Sequence, residues 1–165
     1  MTEKSESKRI GAKQHKNSGR GTHKGDATWN NFTVDFKEVG KSLNVNKEVW
    51  AKATTDAIKK GFDLIYKAYF IEGKFRGEAD FLIKTKEKSE LGDYSYEVYD
   101  TKVTKNLKPK HVLQITAYSY LISKITGILP KLMYLIDGKS EYHSYKVFEF
   151  LDYFNFTKNK FENFI

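Results

Sequence analysis

Hydrophobic and polar residues alternate with two different periods along the chain, and from about residue 46 these periods predict a series of helices and strands. Asn46 is suited to cap a first helix, and Gly61 is suited to end it. The apolar residues between them recur at helical spacing: Val49, Ala53, Ala57 and Ile58. We therefore expect a helix from about residue 47 to residue 60.

Strand-forming residues dominate the segments that follow, and glycine or proline separates them. The strand predictions are, in chain order, 64–72, 75–84, 94–103, 131–137 and 141–148. Further helices are predicted at about 110–126 and from about Phe150 onward. This order of elements favours an α/β fold, with a mixed and mostly antiparallel central sheet flanked by helices.

Residues 1–28 differ from the remainder of the chain. They are polar, contain several glycines and have no aromatic side chain, which is typical of a flexible or loop-like segment. Aromatic residues begin at Trp29, and alternation from Phe32 indicates a strand. We therefore expect a basic flexible arm at 1–28 and one domain at 29–165.

The distribution of charge along the chain suggests what kind of partner the protein binds. The net charge is +8, and residues 1–25 contain seven basic residues against two acidic ones. Such an excess suggests a polyanion, and DNA is the partner we expect, although a basic tail that only aids solubility has the same composition. The candidate phosphate contacts are Lys13, Lys16, Arg20 and Lys24.

Two absences narrow the functional classes. The chain has no cysteine, which excludes disulfides, thiolate catalysis, iron–sulfur clusters and cysteine-ligated zinc. No apolar run is long enough to cross a bilayer, and no apolar stretch of the kind found in signal peptides follows the basic N-terminus. A soluble cytoplasmic protein without a membrane partner is the simplest expectation.

Candidate chemistry lies on the predicted strands 75–84 and 94–103. Asp100 and Lys102 are two residues apart, so on a strand both side chains project from the same face. Asp80 lies on the preceding strand, and pairing of the two strands would bring the carboxylates together. Glu78 shares the parity of Asp80 and is a candidate accessory ligand, whereas Glu97 has the opposite parity to Asp100.

Converging carboxylates need a neutralising cation or a shared proton, and their oxygens suit Mg²⁺ or Mn²⁺. Such an ion with a neighbouring lysine would constitute a phosphodiesterase centre. An Asp-x-Lys tripeptide alone is more often a solvated ion pair, so the context of the motif decides between these readings.

The context resembles the RecB-type branch of PD-(D/E)XK nucleases over about residues 57–154. Three motifs occur in family order: Gly77-x-x-Asp80, then Asp100-x-Lys102 late in a strand, then Gln114-x-x-x-Tyr118 on a helix. The resemblance implies a restriction-endonuclease-like fold and Mg²⁺- or Mn²⁺-dependent cleavage of DNA. It also implies that Asp80 and Asp100 bind the metal, that Lys102 is catalytic, and that Gln114 and Tyr118 border the site.

Many members of that branch also carry a metal-binding histidine on an earlier helix. No histidine lies between His23 and His111, so either this ligand is absent or another residue such as Asp56 replaces it.

A second set of residues, across about 8–56, is similar to small phage endonucleases related to Holliday-junction resolvases. Asp26, Asp35 and Lys37 match that family's triad. The chain could join two related pieces near residues 50–58, or the first triad could belong to a basic DNA-facing hairpin without metal. Phage resolvases of this kind are often dimers, so a homodimer is one expectation.

Two alternatives to an active nuclease remain at this point. The chain could be a catalytically degenerate nucleic-acid-binding module. It could also be a structural part of a larger nuclease–helicase system, because RecB-type domains are commonly joined to such machines; a helicase would then be the partner.

Overall fold

The computed structural model describes the backbone of residues 46–164 and three short strands before them, and the side chains of residues 46–163. By its internal contacts the chain forms two compact units, residues 1–46 and residues 47–165.

The first unit contains a three-stranded antiparallel sheet of β1 (Lys13–Gln14), β2 (Ala27–Trp29) and β3 (Phe32–Val34), in that order. Lys13 and Gln14 therefore belong to a strand, which corrects the loop-like interpretation at these two positions. The domain boundary expected after residue 28 falls inside β2, because Thr28 pairs with both neighbouring strands. The contacts divide the chain after Asn46 instead.

The second unit is built on a five-stranded sheet with the order β4-β5-β6-β7-β8. Its strands are β4 (Leu64–Glu72), β5 (Phe75–Thr85), β6 (Ser95–Thr101), β7 (Leu132–Ile136) and β8 (Tyr142–Lys146). Its helices are α1 (Lys47–Lys60), α2 (Pro109–Thr126) and α3 (Phe148–Phe164). The pair β6–β7 is parallel, and the other pairs are antiparallel.

The predicted fold class is confirmed. The chain has an α/β architecture in which a mixed five-stranded sheet is flanked by three helices within residues 47–164, and this arrangement is compatible with a restriction-endonuclease-like fold. The predicted elements from residue 47 onward are all present, with ends that differ by a few residues.

One hydrophobic core joins the sheet to two of the helices. Leu82, Val98 and Met133 stand in register on adjacent strands, and all three are fully buried. Ile58 of α1 and Ile115 of α2 pack into the same core. Because α2 connects the parallel strands β6 and β7 and crosses this core, its position relative to the end of β6 is determined by packing.

Candidate metal-dependent active site

Asp80 and Asp100 lie on neighbouring strands at the end of the β5–β6 pairing. The last pair in register is Phe81 with Tyr99, so Asp80 and Asp100 occupy the next opposing positions. Asp100 is almost fully buried, with 3% of its surface exposed. The Asp80 side chain is 15% exposed and the Asp100 side chain 5%, so Asp80 is the more accessible of the two carboxylates.

Lys102 follows β6 and links Asp100 to α2. Its Nζ donates to Asp100 Oδ2 and, at 2.9 Å, to Gln114 Oε1. Gln114 Nε2 donates to the Tyr118 hydroxyl oxygen at 2.5 Å. Gln114 and Tyr118 are four residues apart on α2, which places them one above the other on one helix face. We refer to Asp80, Asp100, Lys102, Gln114 and Tyr118 as the Asp–Lys cluster.

Tyr118 reaches this position because residue 77 is glycine. A Cβ atom at Gly77 would lie 2.6 Å from Cε1 and 2.8 Å from Cδ1 of Tyr118, closer than packed carbon atoms approach. The glycine of the Gly-x-x-Asp motif therefore makes room for the tyrosine of the Gln-x-x-x-Tyr motif. This contact gives a physical reason for the two motifs to occur together.

Asp80 has partners that the sequence analysis did not name. Lys67 Nζ donates to Asp80 Oδ1 at 2.6 Å and lies 3.1 Å from Glu78 Oε1. Thr101 donates to Asp80 Oδ2 through its backbone N–H at 2.8 Å and its hydroxyl at 2.5 Å. Both oxygens of the Asp80 carboxylate thus accept strong hydrogen bonds.

One signal could have identified Lys67. It is the one charged residue of the β4 segment before Glu72, and the two-residue turn at Gly73-Lys74 sets the register of the hairpin. Counting back from that turn places Lys67 opposite Asp80.

Burial and nearby charges shift the pKa values of the two carboxyl groups in opposite directions. Burial raises the pKa of the Asp100 carboxyl more than the hydrogen bond and charge of Lys102 lower it, and the negative charge of Asp80 adds to the increase. Burial also acts to raise the pKa of Asp80, but the hydrogen bonds from Lys67 and Thr101 outweigh it and hold that pKa below its ordinary value. The two carboxyl groups of one cluster therefore have unlike environments.

The ligand atoms that the cluster offers are of the chemical type that binds a divalent ion. Two carboxylates on adjacent strands, one of them buried, are the oxygen ligands that Mg²⁺ and Mn²⁺ take, and Mg²⁺ keeps several water ligands. Among the described side chains, however, the carboxylates of this centre form no group of three ligand atoms within 4.8 Å of one another. Asp56, considered above as a substitute for the absent histidine, lies on α1, and no hydrogen bond joins it to Asp80 or Asp100 in the described part of the chain.

His111 lies close to the cluster but has a local structural role. Its Nδ1 accepts a hydrogen bond from the Lys108 backbone N–H at 3.2 Å, at the start of α2. Burial lowers the pKa of the His111 imidazole, and the positive charges of Lys102, Lys110 and Lys108 lower it further. The neutral ring is therefore favoured, as an acceptor at a helix start requires.

A group of metal-ligand type that the sequence analysis missed occurs in the β7–β8 turn. One ligand atom each of Asp137, Glu141 and His143 lies within 4.8 Å of the other two. Asp137 Oδ1 accepts the backbone N–H groups of Lys139 and Glu141 at 2.8 and 3.0 Å, and Asp137 Oδ2 lies 3.0 Å from His143 Nε2. These contacts are sufficient to explain the buried Asp137 as the residue that stabilises the turn.

The remaining predicted residues fall where side chains are not described. Lys13 belongs to β1, and nothing beyond its backbone is described. Lys16, Arg20 and Lys24, and the second triad of Asp26, Asp35 and Lys37, lie outside the described residues. The second triad and the four phosphate contacts therefore stay predictions.

Comparison with models of known protein families gives no match, and neither does comparison with curated proteins. In the part of the chain that the structure describes, no helix combines the length and apolar character needed to span a bilayer. Any function must accordingly be argued from the geometry of the cluster itself.

Proposed function

We propose that this protein is a nuclease that hydrolyses DNA phosphodiester bonds and depends on Mg²⁺ or Mn²⁺. One observation carries the proposal. Hydrogen bonds from Lys102 to Asp100 and Gln114, and from Gln114 to Tyr118, link the end of β6 to α2, and Asp80 stands opposite Asp100 on β5.

The proposed task differs from one side chain to the next. Asp80 and Asp100 would hold the ion, which when bound activates water and stabilises charge on the attacked phosphate. Lys102, held between Asp100 and Gln114, presents its ammonium group beside that position and can orient the attacking water or stabilise the developing negative charge. Gln114 fixes the lysine with its oxygen and Tyr118 with its nitrogen, so it serves as a positioning residue.

The net charge of +8 supports a polyanionic substrate. The predicted contacts of the N-terminal segment with phosphates would position DNA without selecting its sequence. The proposal therefore states the class of bond and polymer, and leaves strand preference to experiment.

The decisive test is cleavage of single- and double-stranded DNA by the full chain, with Mg²⁺ or Mn²⁺ and with a chelator. We expect cleavage that requires the ion and that falls by about a hundredfold or more in Lys102→Met. Lys88→Met is the matched control, because Lys88 lies in the loop before β6 with its side chain 87% exposed and pairs with the exposed Asp93 at 3.7 Å. Absence of cleavage by the wild type, or equal cleavage by Lys102→Met and Lys88→Met, would contradict the proposal.

A second candidate function is nucleic-acid binding without turnover. The observation that favours it is the ion pair between Lys67 and Asp80, since an ammonium group already neutralises one of the two proposed metal ligands. Titration with Mn²⁺ separates the candidates. A nuclease should show binding heat that Asp100→Ala abolishes, whereas the binding module should show salt-dependent affinity for DNA and no such heat.

A further inference from the structure

Lys67 has an unusual backbone conformation for a strand residue. Its φ is 53°, in the left-handed region that residues other than glycine rarely adopt. It nevertheless lies inside β4, and the strand stays paired with β5 on both sides, at Tyr66 with Phe81 and at Ala68 with Ala79. The conformation is unfavourable for a residue with a Cβ atom, so contacts of the side chain must compensate for it.

The same position interrupts the alternation of buried residues in both strands. In β4 the buried Ile65 is followed by the buried Ala68, three residues later instead of two. In β5 the opposing residues Leu82 and Ala79 show the same shift. The break in the alternation lies between the pairs Ile65–Leu82 and Ala68–Ala79, where Lys67 stands opposite Asp80.

The ammonium group of Lys67 makes the compensating contacts. It is 2.6 Å from Asp80 Oδ1 and 3.1 Å from Glu78 Oε1, so it bridges two carboxylates of β5. The Lys67 side chain is one-third exposed, and the other two are 15% and 36% exposed, so the group is reachable from solvent. A cation between two carboxylates at the rim of the cluster occupies a position that a metal ion would also favour.

We propose that the Lys67 ammonium is a built-in counter-ion that occupies the cation position between Glu78 and Asp80 and competes with a divalent ion for these carboxylates. While Lys67 stays in place, Glu78 is withheld from a metal, and an ion at the cluster depends on Asp80 and Asp100. This inference deepens the proposed function and rests on it for the kind of ion concerned.

The charge of Lys67 predicts how its removal should change the affinity for a divalent ion. An ammonium group in contact with Asp80 repels a divalent ion that approaches the same carboxylate, and it also takes up a lone pair that the ion would use. Removing the ammonium should therefore strengthen the binding of a divalent ion and free Glu78 to act as a ligand. A merely structural ion pair would predict the reverse, because the loss of Lys67 would loosen the site.

The test is calorimetric titration of the full chain with Mn²⁺ alone. We expect Lys67→Met to bind Mn²⁺ about tenfold more tightly than the wild type, or more, because one nearby charge changes such equilibria by this order. Lys67→Arg, which keeps the charge, should bind like the wild type. Lys131→Met is the matched control, since Lys131 pairs with Glu87 at 2.5 Å outside the cluster and its loss makes the same change in net charge.

Two further variants complete the test. Lys67→Gly removes the ammonium and suits the left-handed backbone, so it should show the same gain even if Lys67→Met folds poorly. Adding Glu78→Gln to Lys67→Met should cancel most of the gain, because the released ligand is then absent. Unchanged or weaker Mn²⁺ binding by both Lys67→Met and Lys67→Gly would overturn the inference.

The inference and the proposed function fail in different ways. If the wild type cleaves DNA but the Lys67 variants bind Mn²⁺ as the wild type does, the nuclease proposal stands and the counter-ion inference is wrong. If no variant cleaves DNA but the Lys67 variants bind Mn²⁺ more tightly, the inference stands and the nuclease proposal is wrong.

Discussion

At the scale of single residues, Gly77 and Tyr118 show how a sequence motif arises from a close contact. The tyrosine ring crosses β5 where a side chain would stand, and its hydroxyl oxygen accepts the hydrogen bond from Gln114. Gln114 in turn fixes Lys102. A change at Gly77 should therefore reach the lysine of the cluster through two intervening side chains.

Substituting Gly77→Ala should reduce both stability and any nuclease activity. The new Cβ would stand 2.6 Å from the Tyr118 ring, and such overpacking costs about 1–3 kcal/mol. Thermal unfolding and DNA cleavage measured on the same preparation would check both effects.

Gly73→Ala is the matched control for that experiment. Gly73 has a positive φ, of 56°, and a Cβ there would meet no atom within 4 Å. This variant should lose stability through its backbone alone and keep its activity. Equal activity of the two alanine variants would show that the position of Tyr118 does not matter for the reaction.

At the scale of elements, α2 has a core face and a site face. Ile115 is fully buried against the sheet, whereas its neighbour Gln114 points to Lys102. The helix begins after Lys108 with Pro109 and ends at Thr126, followed by Gly127, whose φ of 76° suits a helix cap. Packing of the core face therefore determines where the polar groups of the site face lie.

Truncation of Ile115→Ala should destabilise the protein by about 2–5 kcal/mol, because it leaves a cavity under the middle of the sheet. It should also lower activity at temperatures where the protein is still folded, since α2 then seats less firmly. Denaturant unfolding would measure the first effect, and cleavage assays well below the midpoint would measure the second. Lys110→Ala, an exposed change on the same helix, should alter neither quantity; an equal drop there would show that the effect does not come from core packing.

At the scale of the whole molecule, the two units divide the proposed tasks. Among the described side chains, the residues of the hydrophobic core run from Ile58 onward and belong to the second unit. Residues 1–25, which lie in the first unit, contain seven basic residues against two acidic ones. Chemistry and general affinity for a polyanion are thus expected to be separable.

A fragment of residues 47–165 should unfold cooperatively and still bind Mn²⁺, because it retains the core and every residue of the Asp–Lys cluster. Its affinity for DNA should be weaker than that of the full chain and should fall less steeply with salt, since fewer phosphates are contacted. Calorimetric melting and DNA binding at several salt concentrations would measure both properties. Identical salt dependence of the fragment and the full chain would refute a role of the N-terminal lysines and arginines in DNA binding.

Several features of the second unit could be predicted because they depend on short stretches of sequence. The turn at Gly73-Lys74, the proline and glycine that bound α2, and the alternation in the strands are local signals, and the observed elements follow them. The proximity of Asp100 to Lys102 is also local, because it needs only an extended backbone. The interpretation of the N-terminal residues as a flexible arm was less successful at Lys13 and Gln14, where polar residues pair with β2 and no hydrophobic pattern marks the strand.

The order and type of the elements from residue 47 onward follow from the amino-acid sequence alone, which also contains two carboxylates and a lysine in a pattern typical of a metal-dependent centre. Which groups meet at that centre depends on how the strands and helices pack. Period-two alternation predicts an extended backbone at every residue of β4, but Lys67 departs from that conformation, shifts the buried positions and brings its ammonium group to Asp80. The physical reason is that the strand register and the left-handed conformation of Lys67 both depend on contacts made between strands. A local pattern of residues does not contain information about those contacts.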